Sequence, residues 1–328
     1  MRSRFKSVFL RKHFITITRY ALLIAILAFG GWYIQSHYDS IAGEADFSFT
    51  NVSTLIALNL GTIFIESTRV RLQVRKLGRD LGAVMSWHLL ALMQAVNHIV
   101  LKAGTFSGGW FLSRRYGISF TSYVAFLVTY VFVMALASGV LGVLLTIVFF
   151  CLGVKIQLFI PIFFLGVLFL STGVLAGARL HIPVQFLPRA LARFFESIRY
   201  IYSDYRLLFA LVGIEMLYYL ITALRFMVAL KMFSGEASLL ESAVVVTAGN
   251  FLRVASIMPG GLGIAELASG WIAGLIGGDA GLAGLSAGLD RLAYVLLVMI
   301  SGGVGFLAIS GGREFFRRES PEPEAMNS

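Results

Sequence analysis

The chain has 328 residues, of which 58% are hydrophobic and only 13% are charged, and its mean hydropathy is +0.84. This composition leaves too little polar surface to cover a soluble globule of that length, so a soluble protein is excluded. The net charge of +10 comes without a zinc-finger, RNP or basic-region pattern, so no nucleic-acid partner is expected.

Several apolar stretches reach the roughly 20 residues that a helix needs to cross a hydrocarbon core. In chain order, six full spans are expected near residues 15–35, 52–68, 119–150, 156–177, 207–231 and 285–310. The first is longer than a signal-peptide core and lacks a clear cleavage site, so an uncleaved helix is expected. Two further apolar segments, 83–112 and 242–277, are broken in the middle by glycine. The sequence therefore predicts an all-α polytopic membrane protein.

The distribution of basic residues predicts which loops face the cytoplasm. Most of the 27 Lys and Arg residues lie in the segments 1–14, 69–79, 114–115, 179–206 and 313–318. Basic loops flank membrane helices on the cytoplasmic side, so these segments and both termini are expected there. The segment 36–51 has no Lys or Arg and is expected outside. We expect a multi-pass protein of the plasma (inner) membrane.

The same rule constrains the two broken segments. Both flanks of 83–112 are basic, so this segment is expected to enter the membrane and return on the cytoplasmic side. By the same reasoning, 242–277 begins and ends outside. Two re-entrant hairpins that enter from opposite faces indicate an inverted-topology repeat. Asn97 and Asn250 each precede a glycine by eleven residues, an echo compatible both with a repeat and with chance.

Three regions are predicted along the chain. They are a basic cytoplasmic N-terminus at 1–14, a transmembrane domain at 15–312 and a disordered cytoplasmic tail at 313–328. Within the domain, residues from about 186 to 205 have an apolar stripe at helical spacing with arginines between its members. This pattern is typical of an amphipathic helix on the anionic cytoplasmic leaflet, and a solvated linker helix is the alternative.

The strongest local signal is Pro259-Gly260-Gly261-Leu262-Gly263, followed by Glu266. Proline removes a backbone donor and the glycines relax the chain, so a continuous helix cannot pass through this segment. Freed backbone amides and a helix N-terminus near Gly263 would suit an anionic group. The alternative is a kink or a tight turn between two helices.

Charged residues at membrane depth are the second signal. Lys102 lies among apolar residues, where a charge costs on the order of 3 kcal/mol on insertion scales. Five more ionisable residues lie deep in apolar segments: Glu215, Arg225, Glu266, Asp290 and Arg291. Together they favour a polar cavity inside the bundle, and ion pairing is the alternative for each one. Glu215 and Arg225 are ten residues apart, so each must pair with another helix.

Sequence signatures of enzymes are absent. The chain has no GxxxxGK[ST] loop, no GxSxG elbow and no complete dinucleotide fingerprint, so no catalytic residue, no cofactor and no coupling to ATP hydrolysis are expected. His88 and His98 lack the HExxH spacing, and Cys151 is the single cysteine, so no metal site and no internal disulfide are expected.

These motifs resemble those of the lysylphosphatidylglycerol synthase transmembrane-region family, also called flippase-like domain proteins. The segment 259–263 with Glu266 is similar to the hallmark of that family. The residues similar to its first block are Lys102, Gly108-Gly109 and Arg114-Arg115-Tyr116-Gly117. The chain has 105–107 as Thr-Phe-Ser where many members have a proline. The resemblance covers roughly residues 15–310 and implies a bundle with two re-entrant elements.

The resemblance also implies a role. Some members carry a soluble aminoacyltransferase domain that charges phosphatidylglycerol, and their membrane part moves the product lipid across the bilayer. Nothing in this chain resembles that soluble domain, so we expect the translocation half alone. Other stand-alone members are linked to isoprenoid-lipid or envelope-glycolipid pathways, which leaves the headgroup open.

The sequence thus predicts a translocator of a membrane lipid with an anionic headgroup. In this hypothesis Lys102 and Arg253 attract the phosphate, while Glu266 or Asp290 balances charge. The expected headgroup-binding residues are Asn97, Lys102, Arg114, Asn250, Arg253, Pro259, Gly260, Gly261, Gly263, Glu266, Asp290 and Arg291. Arg114 by itself is more typical of a topology determinant. The rivals are a non-catalytic partner of envelope-lipid biosynthetic enzymes that docks through 186–205, and a polyprenyl-lipid enzyme with Glu266 or Asp290 as base.

Overall fold

A computed structural model describes residues 46–154, 156–179, 199, 204–233, 235–236, 238–254 and 263–311. Within these residues the chain forms nine helices and no strand. The helices are α1 (Phe49–Lys76), α2 (Ala83–Ile99), α3 (Ala103–Tyr116), α4 (Phe120–Cys151), α5 (Phe159–Arg179), α6 (Tyr205–Lys231), α7 (Leu239–Val254), α8 (Ile264–Leu275) and α9 (Ala280–Gly311).

Four of the described helices are long and apolar enough to cross a membrane: α1, α4, α6 and the segment Ala280–Ile309 of α9. Three of them begin at a side-chain cap, because the oxygens of Ser48, Ser119 and Asp204 accept hydrogen bonds from backbone N–H groups of the first turn. Large apolar side chains such as Phe150 and Phe169 point outward, at 83% and 84% exposure. These features are those of an α-helical membrane protein.

Helix α6 lies at the centre of the bundle. It packs against α1, α4, α7 and α9, so its middle turns are enclosed on several sides. Tyr219 and Phe226 of α6 belong to the largest apolar core cluster. At its first turn, Lys76 of α1 donates a 2.8 Å hydrogen bond to Asp204, which holds the pKa of Asp204 below its usual value. The position of α6 means that any polar group on its middle turns must find its partner inside the protein.

Helices α2 and α3 form an antiparallel hairpin. A Cβ added to Gly104 of α3 would lie 1.8 Å from the carbonyl oxygen of Met93, so only glycine permits this approach of the two backbones. Thr105 donates its N–H to Asn97 Oδ1 at 3.0 Å, which ties the start of α3 to the end of α2. Leu81 and Ile118, beyond the two ends of the hairpin, pack into one apolar cluster. The two ends of the hairpin therefore lie close together.

Helices α7 and α8 form a second antiparallel hairpin. A Cβ added to Gly249 would lie 3.2 Å from Ser269 Oγ, and further along the pair Val245 and Ala273 line one cavity of about 220 Å³. Residues 255–262, which connect the two helices, lie outside the described residues. The segments 83–112 and 242–277 thus each contain two short antiparallel helices. In the first segment the break lies at residues 100–102 and not at a glycine, since Gly104, Gly108 and Gly109 are inside α3.

Helix α9 packs along both hairpins. Its first half approaches α8, where a Cβ added to Gly270 would lie 2.5 Å from the carbonyl oxygen of Ala280. Its second half approaches α2, where a Cβ added to Gly302 would lie 2.8 Å from Ala95 Cβ. Between these contacts, the ring of Tyr294 lies 6.2 Å from that of His98, near the turn of the first hairpin. The end of α2 and the first turn of α8, where Glu266 contacts Arg291, therefore approach the same central stretch of α9.

Most predicted elements within the described residues are found close to their predicted bounds. The span expected at 52–68 is an exception, because α1 continues to Lys76. Arg69, assigned from the sequence to a solvated basic loop, is instead 8% exposed inside the bundle, so that assignment is wrong. The first span at 15–35, the amphipathic segment up to 203 (apart from Arg199) and the tail at 313–328 lie outside the described residues.

The close crossing in the first hairpin predicts the effect of one methyl group. Gly104→Ala should lower the free energy of unfolding by about 1–3 kcal/mol, because the carbonyl of Met93 is backbone and cannot rotate away. Gly213→Ala in α6 is the matched control, since a Cβ there meets nothing within 4 Å. Unfolding of the two purified variants in detergent checks this, and equal stabilities would contradict the packing described above.

Candidate functional site

A cavity of about 70 Å³ lies where α6, α7, α8 and α9 meet near the end of α2. It is called the ionic cavity below, because four of its lining residues are arginines or carboxylic acids: Arg225, Glu266, Asp290 and Arg291. Polar neighbours complete the wall: His98, Tyr218, Thr222, Asn250, Ser269 and Tyr294. The volume suits a few water molecules and is too small for a whole lipid headgroup.

Arg225 and Asp290 form a bidentate ion pair between α6 and α9. Arg225 Nε donates to Asp290 Oδ1 at 2.8 Å, and its second terminal nitrogen donates to Oδ2 at 2.7 Å. Helix α1 adds Thr62, which accepts from Arg225 at 3.1 Å, and Asn59, which donates to Asp290 at 3.4 Å. Arg225 is 4% exposed and Asp290 8% exposed. In this geometry all three nitrogens of the guanidinium donate a hydrogen bond, and the bonds join α1, α6 and α9.

A second ion pair joins α9 to the first turn of α8. Arg291 donates to Glu266 Oε1 at 3.0 Å. Glu266 lies in the first turn of its helix, where the helix dipole favours a negative charge. Gly263 precedes this turn with a φ of 81°, a backbone conformation that glycine adopts without strain. The second ion pair therefore fixes the second hairpin against the centre of α9.

The buried polar atoms at the ionic cavity that have no hydrogen-bond partner among the described residues include Oε2 of Glu266 and Nδ2 of Asn250. A buried donor and a buried acceptor left this way cost about 1–3 kcal/mol each unless water or a ligand satisfies them. The cavity can therefore accept one hydrogen bond and donate another to a guest molecule.

A second cavity of about 210 Å³ lies between α1, α2, α3 and α4. It is called the amide cavity below, since its polar wall includes Gln73, Gln94 and Asn97. The hydroxyl-bearing and charged members of this wall are Thr105, Tyr123, Tyr130 and Arg69. Nε2 of Gln73 is buried and has no partner in the part of the chain that the structure describes. Amides and hydroxyls suit hydroxyl-rich or phosphate groups as hydrogen-bond partners.

A chain of polar side chains connects the two cavities. Arg69 donates to Glu215 at 3.1 Å, lies 3.8 Å from Glu66 and stacks over the ring of Tyr130 at 4.0 Å. Tyr294 donates to Glu66 at 2.7 Å. These five residues are called the ionic bridge below. Arg69 and Tyr130 line the amide cavity and Tyr294 lines the ionic cavity, so the bridge reaches both.

The structure brings four of the predicted site residues together. Asn250, Glu266, Asp290 and Arg291 all line the ionic cavity, and Gly263 caps α8 beside it. The side chain of Arg253 and the residues 255–262, which include Pro259, Gly260 and Gly261, lie outside the described residues.

The other three predicted residues lie elsewhere. Asn97 lines the amide cavity and donates to Thr105 Oγ1 at 3.0 Å. Lys102 is exposed at the turn of the first hairpin, with a φ of 58°. Arg114 is exposed in the last turn of α3 and lies 5.7 Å from the ring centre of Trp110. The ionic cavity is therefore lined mainly from the second hairpin, α6 and α9.

The sequence analysis missed the partners contributed by other helices. Asn59, Thr62, Glu66, Arg69, Tyr130 and Tyr294 belong to the ion-pair network but were not predicted. One signal was available, because Glu66 and Arg69 are three residues apart at the end of an apolar run and lie on one helix face. Within the described residues, no group of three or more His, Cys, Asp or Glu side chains could hold a metal ion.

The buried ion pair predicts that a substitution of Asp290 destabilises the protein more than a substitution of Asp80, whose ion pair is exposed. Asp290→Asn should lower the free energy of unfolding by about 3–5 kcal/mol, because it leaves the Arg225 guanidinium uncompensated in the core. Asp80→Asn removes the partner of Arg71 in a pair whose side chains are 41% and 61% exposed, and should cost at most about 1 kcal/mol. The double variant Arg225→Met/Asp290→Leu should be more stable than Asp290→Asn. Denaturant unfolding checks this, and equal costs for the two aspartates would refute the network.

Comparison with known proteins gives one match. The model of the family described as lysylphosphatidylglycerol synthase TM region matches residues 14–302. No curated protein and no solved structure matches the chain. The match includes both hairpins, the ionic bridge and the ionic cavity, and it leaves out only the ends of the sequence. The chain is a multi-pass membrane protein that belongs to the lysylphosphatidylglycerol synthase transmembrane-region family.

Proposed function

We propose that this protein translocates a membrane lipid with an anionic headgroup, which is a phospholipid, an isoprenoid lipid or a glycolipid. The observation that carries the proposal is the ionic cavity, where the end of α2 and the first turn of α8 approach the centre of α9. Buried charges are expensive in a membrane bundle, and chains that keep them use them for pairing or for a substrate pathway. Membership of a family named for lysylphosphatidylglycerol synthesis supports a lipid substrate.

The two hairpins supply the pathway in this proposal. The first enters from the cytoplasm and the second from outside, as an inverted repeat with both termini cytoplasmic in the plasma (inner) membrane. Asn97 in the first hairpin and Asn250 in the second each line a cavity, which supports a repeat. The amide cavity then receives the headgroup on one side of the ionic bridge. The ionic cavity receives it on the other side when its ion pairs open. Movement is downhill or ion-coupled, because the chain has no nucleotide-binding loop.

In the ionic cavity, the headgroup would be recognised by arginines that exchange their carboxylate partners for the anion of the lipid. Arg291 and Arg225 contact carboxylates in the structure, and a phosphate or other anion offers the same bidentate acceptor geometry. Asn250 adds an amide donor, and Lys102 at the first hairpin turn adds a cation that lies exposed. In this mechanism the protein is not an enzyme, since each of these groups binds or orients the lipid and no bond of the lipid changes.

The proposed topology can be tested with single cysteines in a Cys151→Ser background. Arg79→Cys and Arg114→Cys flank the first hairpin and should react with an impermeant maleimide only from the cytoplasmic side. Glu236→Cys and Asp279→Cys flank the second hairpin and should react only from outside. Labelling of the two members of a pair from opposite sides would show that the hairpin crosses the membrane, and the re-entrant arrangement would then be wrong.

Lipid movement by the purified chain is the direct test. Proteoliposomes of phosphatidylcholine and phosphatidylglycerol with trace fluorescent phosphatidylglycerol report protein-dependent exchange between leaflets. Asn250→Ala should slow exchange about tenfold, because one hydrogen bond to a charged group is lost. Arg71→Gln, which removes an exposed charge, is the control and should leave the rate unchanged.

The alternatives appear as other outcomes of the same experiment. No exchange with a panel of anionic, aminoacylated and polyprenyl lipids would contradict translocation by the chain alone. Co-purification of an envelope-lipid biosynthetic enzyme would then support the role of a non-catalytic partner. Conversion of a polyprenyl lipid in detergent micelles, where no bilayer remains, would support an enzyme.

A further inference from the structure

The ionic bridge contains more carboxylates than cations. Among the described residues its charged members are the carboxylates of Glu66 and Glu215 and the single guanidinium of Arg69. The ionic cavity is balanced by comparison, since its two ion pairs each join one arginine to one carboxylate. One carboxylate of the bridge therefore has no cation of its own within the described residues.

Glu215 is the less satisfied of the two carboxylates. Its Oε1 accepts from Arg69, but its Oε2 is buried and has no hydrogen-bond partner among the described residues. The residue is 0% exposed. Glu66 accepts from Tyr294 with one oxygen and lies 3.8 Å from Arg69 with the other. A buried carboxylate without full compensation is stabilised when it binds a proton, because the charge is removed.

The ionisable groups near Glu215 come from four helices. They are Glu66 and Arg69 from α1, Tyr130 from α4, Tyr218 from α6 itself and Tyr294 from α9, which donates to Glu66. The described ionisable side chain of α7, Glu241, lies in the first turn of that helix, where it accepts from Ser238. Arginine and tyrosine keep their protons near neutral pH. The proton that the bridge exchanges therefore belongs to a carboxylate and not to Arg69 or a tyrosine.

We propose that Glu215 is a proton-binding site that couples headgroup movement to the proton gradient, an inference that rests on the proposed lipid translocation. With Glu215 protonated, Arg69 and Glu66 balance and the bridge is neutral. With Glu215 ionised, the bridge carries one net negative charge and repels an anionic headgroup. The headgroup therefore passes with the proton, and the two move in the same direction.

The proton transfer needs water and no other reactant. The O–H bond of the Glu215 carboxyl breaks and its electron pair stays on Oε2. Glu215 lines neither cavity, so the proton reaches water through a hydroxyl of the bridge, Tyr130 at the amide cavity or Tyr294 beyond Glu66 at the ionic cavity, which takes up one proton and releases its own. On return, the same relay delivers a proton from water in the other cavity to the same oxygen. Arg69 and Tyr130 line the amide cavity and Tyr294 lines the ionic cavity, so the bridge lies between the two sources.

The first experiment tests proton binding without lipid movement. Infrared spectra of the full chain in vesicles of phosphatidylcholine should contain the carbonyl band of a protonated carboxylic acid, and Glu215→Gln should remove it. Glu236→Gln is the control, because Glu236 is exposed, and it should leave the band intact. An unchanged band in Glu215→Gln would overturn the proposal whatever the transport result. Glutamine keeps the shape of a protonated carboxyl, so Glu215→Gln should retain the fold.

The second experiment measures coupling in vesicles of phosphatidylcholine and phosphatidylglycerol with trace fluorescent phosphatidylglycerol. For one proton per lipid, a gradient of one pH unit should shift the equilibrium leaflet ratio of the probe by about tenfold toward the alkaline side. Glu215→Gln should equilibrate the probe evenly under the same gradient, while Glu236→Gln should behave as the unaltered protein. If lipid exchange by the unaltered protein did not depend on the pH gradient, the coupling would be overturned and lipid translocation would stand. Absence of any lipid exchange would instead contradict the proposed function and the coupling together. The infrared result would still decide whether Glu215 binds a proton.

Discussion

A guanidinium buried in a membrane bundle must be paired, and this requirement organises the centre of the molecule. Arg225 is held by both oxygens of Asp290, with Thr62 as a further acceptor, so α6, α9 and α1 meet around a single side chain. Removal of either charge leaves the other buried without compensation. The rest of the polar network is arranged around this pair, since Arg291, the residue after Asp290, pairs with Glu266 of the second hairpin.

The hairpins can reach the centre because glycine lets their backbones approach. Gly104 brings α3 against the carbonyl of Met93, and Gly302 brings α9 against α2. Without these contacts the turns would lie farther from α9, and the polar residues of the two hairpins would not line cavities. Gly104 and Gly302 lie inside α3 and α9, so they set how closely the helices pack around the cavities and not where a helix ends.

The two cavities differ in chemistry, and the difference bears on the proposed function. The ionic cavity is smaller and its charges are paired, so a headgroup can enter only if the pairs open. The amide cavity is larger and its polar wall consists mainly of neutral donors and acceptors. A lipid that binds more tightly to the opened arrangement would shift the protein toward it. The ionic bridge lies between the cavities and is the element on which such a shift would act.

Local properties of the sequence determined the membrane class, the spans at 119–150 and 207–231, and the two breaks, because hydropathy and glycine act within a few residues of the chain. They also identified the family, which the match to 14–302 confirmed. The deep charges of Glu215 and Arg225 were visible for the same reason, since an ionisable residue stands out in any apolar run.

Only the tertiary structure decided which partner each charge has. Glu215 pairs with Arg69 and Arg225 pairs with Asp290, and these choices depend on which helix faces meet across more than sixty residues of chain. The positive-inside rule assigned Arg69 to a cytoplasmic loop, because the rule considers only the number of basic residues in a segment. It takes no account of a carboxylate on another helix that can pair with one of them. Lys102, which the sequence places at membrane depth, lies on the protein surface at the turn between α2 and α3. Pairing and exposure are properties of packing, and packing is not encoded at any one position in the chain.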